Sequence, residues 1–433
     1  MLHKQGILAM YNKTVLDNGL RLITHTMPKM QSVSIGVWVR VGGRYEPDNI
    51  KGIAHFLEHL VFKGSKKYSC QQIKELIEGV GGALNGFTDE ETTCYYAKLP
   101  AVKQFQALDI LTDMAINPRL SQADIERERF VILEEIKMYR DLPQSYVHDI
   151  LDQLLWPGHP LGLSLIGSKK TVSQLNREDL VSFQRKYYTP SDMVIAACGK
   201  LEHQKILKRL KAGTGNFKAG IRNVFIPAPD YDPSPKIKVL RKRTAQMHLA
   251  MGFYGVERNH TDKHIYSLLH VILGANMSSR LFSELREKRG LAYEIATQVK
   301  SLEDTGMFVI RAGVDNSKIC LAIEVIIREL NKIRSRPVQL SELRRAKEFY
   351  IGQLRLALEG TLEHMSWIGD PILHLNTTYN FKEILKRVAK INPADLKRVA
   401  RDVFKAGAVR LAIIGPLKEK EEKLDACIRR LQG

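Results

Sequence analysis

The sequence predicts an α+β protein made of two related half-domains, each a mixed, mainly antiparallel sheet with helices packed on it. Two observations carry this. At 433 residues the chain is too long for one ordinary hydrophobic core, so two domains are expected. The second is an internal repeat. Val172-Ser-Gln-Leu175-Asn176-Arg-Glu-Asp179-Leu180 resembles Val388-Ala-Lys-Ile391-Asn392-Pro-Ala-Asp395-Leu396 at an offset of 216 residues. The same offset carries Gly199 and Leu201 onto Gly415 and Leu417, each pair closing an apolar strand (Val194–Cys198 and Leu411–Ile414). A shared offset near half the chain length argues for duplication. Between the halves, Ala212–Lys236 is rich in Gly, Pro and Asp and reads as a linker. The expected division is therefore 10–212, a linker over 213–236, and 237–433.

In order along the chain, Thr14–Leu16 and Leu20–Thr26 form a predicted hairpin around Asn18-Gly19, a dipeptide suited to tight turns. Val33, Ile35, Val37, Val39 and Val41 alternate as one face of a strand, which Gly42-Gly43 ends. A helix over His55 and His59 closes near Gly64. Ser69 caps the next helix, to about Glu78, and Gly79, Gly81 and Gly82 break it. Leu84–Thr88 and Thr92–Leu99 read as extended, and Ile125–Arg140 as helical.

Composition narrows the classes. With 44% hydrophobic and 26% charged residues, the chain is that of a soluble globular protein. No apolar run approaches the roughly 20 residues of a membrane span. The amino terminus reads as lacking an export signal, so a cytoplasmic address is expected, with Met10 an alternative start to Met1. Cys70, Cys94, Cys198, Cys320 and Cys427 are scattered and read as reduced thiols rather than a disulfide frame or zinc knuckle. The net charge of +19 comes from dispersed basic residues with interleaved acids and no groove-reading motif. Solvated helix faces account for most of it, and no nucleic-acid partner is expected. A basic balance also suits an anionic membrane surface or acidic peptides.

The stretch that points to chemistry is His55-Phe56-Leu57-Glu58-His59. Residues four apart on a helix share a face, so both imidazoles can reach one metal ion, most commonly zinc. Glu58 then stands beside a ligand, within reach of water at the metal as a general base. This order, H-x-x-E-H, is the inverzincin signature. Downstream, Glu128 and Glu135 lie two turns apart on one helix face. The neighbours of Glu135 at three and four residues are Val131, Ile132, Met138 and Tyr139, and a carboxylate among apolar groups calls for a cation. Glu135 is thus the expected third ligand, with Glu128 supporting it. Glu134, near Lys137, is expected to face water.

In the second half the corresponding helix carries His264 and His270, six apart and on different faces, so that half is not expected to hold zinc. It offers Leu285-Arg286-Glu287-Lys288-Arg289-Gly290-Leu291-Ala292-Tyr293, a basic helix ending at Gly290 and a tyrosine opening the next strand. By itself that is an ordinary capped surface helix followed by a core tyrosine.

With these residues assembled, the chain resembles the pitrilysin/insulinase family of zinc peptidases over nearly its whole length. The nearest branch is that of bacterial relatives of the mitochondrial processing peptidase. The resemblance implies one Zn2+ per chain on His55, His59 and Glu135, with Glu58 activating water and Glu128 supporting. It implies that Arg286 and Tyr293 help bind substrate and the transition state. Asn85, Gly86, Phe87 and Thr88 match the family's peptide-binding edge strand. The implied activity is a metalloendopeptidase acting on peptides or unfolded segments, with leader processing as one role and the two halves closing around the peptide. The implied partner is a second copy or an inactive homologue, as homodimer or heterodimer. The alternative is a non-catalytic scaffold or partner subunit of the same family.

Overall fold

The computed structural model describes residues 11–230, 232, 234, 236–405 and 408–416. Met10, Leu417 and Cys427, which figured in the expectations above, lie outside the described residues. The first sheet holds β1 (Asn12–Val15), β2 (Arg21–Thr26), β3 (Ser32–Val39), β4 (Ala83–Thr88), β5 (Thr93–Pro100) and β6 (Met193–Gly199), in the order β1-β2-β6-β3-β5-β4. Only the β2–β6 pair is parallel. The second sheet holds β7 (Lys236–Arg241), β8 (Met247–Tyr254), β9 (Ala292–Ser301), β10 (Gly306–Val314) and β11 (Arg410–Gly415), in the order β7-β11-β8-β10-β9. There only β7–β11 is parallel. Read from β2 and from β7, the two sheets have one strand order, and each half contributes its last strand beside its first. The duplication legible in the sequence is thus a duplication of topology.

The repeated sequence itself proves to be a helix start. Asn176 accepts from the Asp179 amide and Asn392 from that of Asp395, while each aspartate accepts from the backbone N–H of its asparagine. These reciprocal capping boxes satisfy amides that the first helical turn leaves unpaired. Ser69 and Gln72 form a third at the start of a helix over Cys70–Ile77.

The compact units do not coincide with the halves of the sequence. One comprises the described residues up to Ile136, Ser164–Ile226 and Leu354–Asn380; the other takes Lys137–Leu163, Pro227–Gln353 and the described residues from Phe381 onward. The reason lies in the sheets, whose central strands are buried on both faces. On β3 not only Val33, Ile35, Val37 and Val39 but also Ser34 and Trp38 are buried. A helix over Thr361–Leu375, from late in the chain, covers that second face. Its Met365, Ile368, Ile372 and Leu373 pack with Ile23, Trp38, Cys94, Val194 and Ala196. Each such side chain contributes on the order of 1.5–3 kcal/mol of gross burial. Gly369 permits the close approach, since a Cβ there would lie 2.5 Å from Trp38 Nε1. In the second unit, the helix over Pro143–Leu155 does the same for β8 and β11 through Val147, Ile150, Leu151 and Leu155.

Part of the stretch expected to be a linker is structured in the first unit. The helix over His203–Thr214 runs into it. Beyond, the buried Arg40 and Arg44 guanidinium groups donate to the carbonyls of Asn223 and Ile226, and Arg44 lies 3.9 Å over the Phe225 ring. Within the described residues, no helix is long and apolar enough to cross a membrane. Cys70, Cys94 and Cys198 carry free thiols.

Candidate metal centre

The helix bearing the histidines, α1 (Ile53–Val61), starts from Gly52 at φ +96°. Its first turn is capped at a distance. The Glu46 carboxylate accepts from the Gly52 and Ala54 amides (3.1 and 2.7 Å) and pairs with Lys51 Nζ at 3.3 Å. A negative group there also complements the helix dipole. Ile53, Phe56, Leu57, Leu60 and Val61 are buried, which leaves His55, Glu58 and His59 on the remaining stripe.

The third member of the cluster, Glu135, arrives from α2 (Gln122–Asp141), whose Ile125, Ile132 and Ile136 anchor it in the first core. Glu135 Oε2 lies 3.7 Å from Nε2 of His55 and 3.7 Å from Nε2 of His59. Three tetrahedral zinc ligands at ordinary bond lengths sit about 3.4 Å from one another, so this donor set fits zinc with little adjustment. Among the described residues no other group of histidine, cysteine and acidic side chains is disposed to hold a metal. In the second unit, His264 Nδ1 meets Tyr350 Oη at 3.1 Å and His270 Nδ1 meets Thr297 Oγ1 at 2.7 Å.

Burial shifts three of these groups. It pushes His55 down to about 3, with His59 adding to the effect, so the ring is neutral and able to ligate. Burial raises Glu58, which the Thr88 hydrogen bond and His59 oppose and Glu135 reinforces. Glu135 is raised for the same reason, with His59 opposing. Burial is the largest cause of each of these three shifts, and the neighbouring groups of the cluster modify it.

Glu128 is placed one shell back. Its Oε2 accepts from His59 Nδ1 at 3.2 Å, while Nε2 of that ring is turned towards Glu135, and its Oε1 accepts from Lys63 Nζ at 2.7 Å. Lys63 escaped the sequence reading, although it stands one turn beyond His59 and therefore on its face. The expected apolar surroundings of Glu135 need correction. Ile132 is buried, but Val131, Met138 and Tyr139 are 50%, 52% and 38% exposed. The carboxylate is thus half-buried at the margin of an open helix face, beside the buried Ile132 and Ile136 that anchor the helix. Glu134 is exposed, as expected.

The segment Asn85–Thr88 lies on β4, the edge strand of the first sheet. Asn85 and Phe87 are exposed, Phe87 edge-on to Trp38 at 5.7 Å, and Asn85 Oδ1 accepts from the Gly86 amide. Thr88 instead turns its hydroxyl to Glu58, donating to Oε2 at 2.6 Å. In the second unit, a π-helical turn over Phe282–Glu287 and Gly290 at φ +56° lead into β9. Arg286 Cζ lies 5.5 Å over the Tyr293 ring. Tyr293 is 74% exposed and is not the core tyrosine that its sequence context suggested.

A duplicated sheet-and-helix fold with a zinc-suited His–His–Glu cluster in its first unit defines a class of metallopeptidase-like proteins, and the comparisons give it a family. Residues 21–169 match the model described as insulinase (peptidase family M16), and residues 174–350 match the peptidase M16 inactive domain. The chain belongs to peptidase family M16. It is 34% identical to an uncharacterized zinc protease of Streptomyces coelicolor, covering 94% of this chain and 90% of the relative. It is also 34% identical to the uncharacterized zinc protease YmxG of Bacillus subtilis, covering 94% and 98%. The fold matches a protease from Helicobacter pylori with a TM-score of 0.88 at 22% identity, over 94% of this chain and 99% of that one. It also matches a chain of complex III2 from Candida albicans with a TM-score of 0.84 at 18% identity, over 97% and 99%.

Proposed function

We propose that this protein is a zinc-dependent endopeptidase that cleaves peptides or unfolded segments. The observation that carries the reading is the convergence of His55, His59 and Glu135, with Glu58 on the same helix stripe and hydrogen-bonded in place. His55, His59 and Glu135 would hold the ion. When bound, zinc supplies Lewis-acid polarisation of the scissile carbonyl and makes water a nucleophile near neutral pH. Glu58 takes the proton from the attacking water and returns it to the leaving amine. Glu128, backed by Lys63, keeps His59 in the tautomer that presents Nε2. A peptide adds as a strand to the β4 edge at Asn85, Gly86, Phe87 and Thr88, held by main-chain bonds with little sequence demand. Arg286 and Tyr293, an exposed stacked pair, supply hydrogen-bond donors to substrate and to the developing oxyanion. The stoichiometry is one zinc per chain, the working form a homodimer or a heterodimer with an inactive homologue, and processing of leader sequences a suitable role.

The test is hydrolysis of a quenched, unfolded peptide library with metal measured on the same sample, for wild type and Glu58→Gln. Zinc near one per chain in both, with turnover abolished only in the variant, supports the reading. A variant that cleaves like wild type, or a wild type without zinc, overturns it.

A further inference from the structure

Thr88 ends the edge strand, where a residue's outward groups are available to a bound peptide. Its side chain, however, is spent inward. The hydroxyl donates to Glu58 Oε2 at 2.6 Å. A hydrogen bond to an ionised carboxylate is among the stronger kinds and fixes the rotation of the group.

Both partners of this bond are clamped by one loop. On the helix side, Glu46 caps α1 through the Gly52 and Ala54 amides. On the strand side, the turn that follows Thr88 is tied to Gly42–Arg44. The Gly43 amide donates to Asp89 O at 3.0 Å and the Arg44 amide to Glu90 O at 2.8 Å. Arg44 Nη1 also meets Glu91 Oε1 at 2.8 Å, with both side chains fully buried. Asp89 Oδ1 closes the turn by accepting from the Glu91 and Thr92 amides. A Cβ at residue 42 would sit 2.0 Å from Asp89 O, so only glycine lets these backbones meet. The distance between Glu58 and Thr88 is therefore set by rigid surroundings rather than by two mobile side chains.

We propose that Thr88 is a positioning residue for Glu58, its hydroxyl holding one carboxylate oxygen so that the other is aimed at the attacking water. Its main chain remains part of the peptide-binding edge, but its side chain takes no part in holding substrate. This inference rests on the peptidase reading above. It predicts a loss in turnover and not in substrate binding, because the hydroxyl is committed before a peptide arrives.

The experiment compares wild type, Thr88→Val, Thr88→Ser and Glu58→Gln for kcat, KM and zinc content on a quenched peptide. Valine is nearly isosteric and favoured in strands, so folding and metal content are retained. The expected result is a fall in kcat of about ten-fold or more for Thr88→Val at unchanged KM and zinc. Thr88→Ser, which keeps the hydroxyl, returns kcat to within about three-fold of wild type, well inside the loss expected when that bond is removed. Equal turnover in Thr88→Val and wild type overturns the inference, as does a serine variant as slow as valine, or a loss confined to KM. Those outcomes leave the peptidase reading intact so long as wild type cleaves and Glu58→Gln does not. A Glu58→Gln enzyme that cleaves normally overturns both.

Discussion

Removing the Glu128 carboxylate should weaken metal binding by a magnitude that the geometry sets. Its Oε2 lies 3.2 Å from His59 Nδ1, longer than a strong charge-assisted bond, while its Oε1 lies 2.7 Å from Lys63 Nζ. Partners of a metal-bound imidazole are worth about 10–100-fold in affinity. The long bond to the ring places Glu128→Gln near the lower end, about ten-fold, or about 1.4 kcal/mol. Lys63 is paired with Glu128, and its side chain is 35% exposed. Lys63→Met should therefore cost less, about three-fold, in keeping with a partly solvated ion pair. Because the lysine acts through the glutamate, the double variant should bind zinc no more weakly than Glu128→Gln alone. Competition with a chromophoric chelator at fixed pH measures all four affinities. Unchanged affinity in Glu128→Gln would refute the arrangement, and additive losses in the double variant would refute the chain of action from Lys63 to His59.

Two further outcomes follow from the buried charges. After chelation, His55 stays neutral in the folded chain down to about pH 3, whereas the unfolded chain binds a proton near the ordinary histidine value of 6.5. Its contribution is present above 6.5 and is lost as pH falls towards 3, at up to about 1.4 kcal/mol per pH unit. Glu58 and Glu135 are raised and act in the opposite sense, holding protons in the folded state that the unfolded state releases. Urea titrations of chelated wild type and His55→Gln between pH 7 and 4 should diverge on the acid side, the variant declining less; parallel curves would contradict the assignment. Arg44→Met removes the guanidinium paired with the fully buried Glu91 carboxylate, and should destabilise the chain by about 3–5 kcal/mol. Arg44→Met with Glu91→Gln should recover much of that, and a double variant as unstable as the single would show that the cost lies in the Phe225 and Ile226 contacts instead.

The candidate cluster was legible because its main signal is local. His55, Glu58 and His59 need only a helix to share a stripe, and the sequence predicts that helix. Glu135 was found through an argument that the structure only half supports, since Val131, Met138 and Tyr139 are open rather than packed around it. Helical period places residues on a common face but does not say what covers that face. The same limit explains the units. Alternation of Val33, Ile35, Val37 and Val39 marks one buried face of β3, yet Trp38 on the other face is buried too, by a helix that begins only at Thr361. No pattern within β3 carries that information. Thr88 was readable as a member of an edge strand, but its bond to Glu58 depends on a turn fastened by Arg44 and Gly42, residues far away in sequence.

The reciprocal trade of helices has a consequence for synthesis and for ancestry. Thr361 follows Gly199, the last residue of the first sheet, by 162 residues. During translation the first sheet therefore waits, one apolar face bare, through the making of most of the second half. A nascent chain in that interval presents Ile23, Trp38, Val194 and Ala196 as adhesive surface, the kind of exposure that draws chaperones. The same trade binds the duplicated copies to a common fate. A cut between Ile226 and Pro227 would give two polypeptides each missing a helix that the other carries, so a gene once doubled this way does not readily come apart.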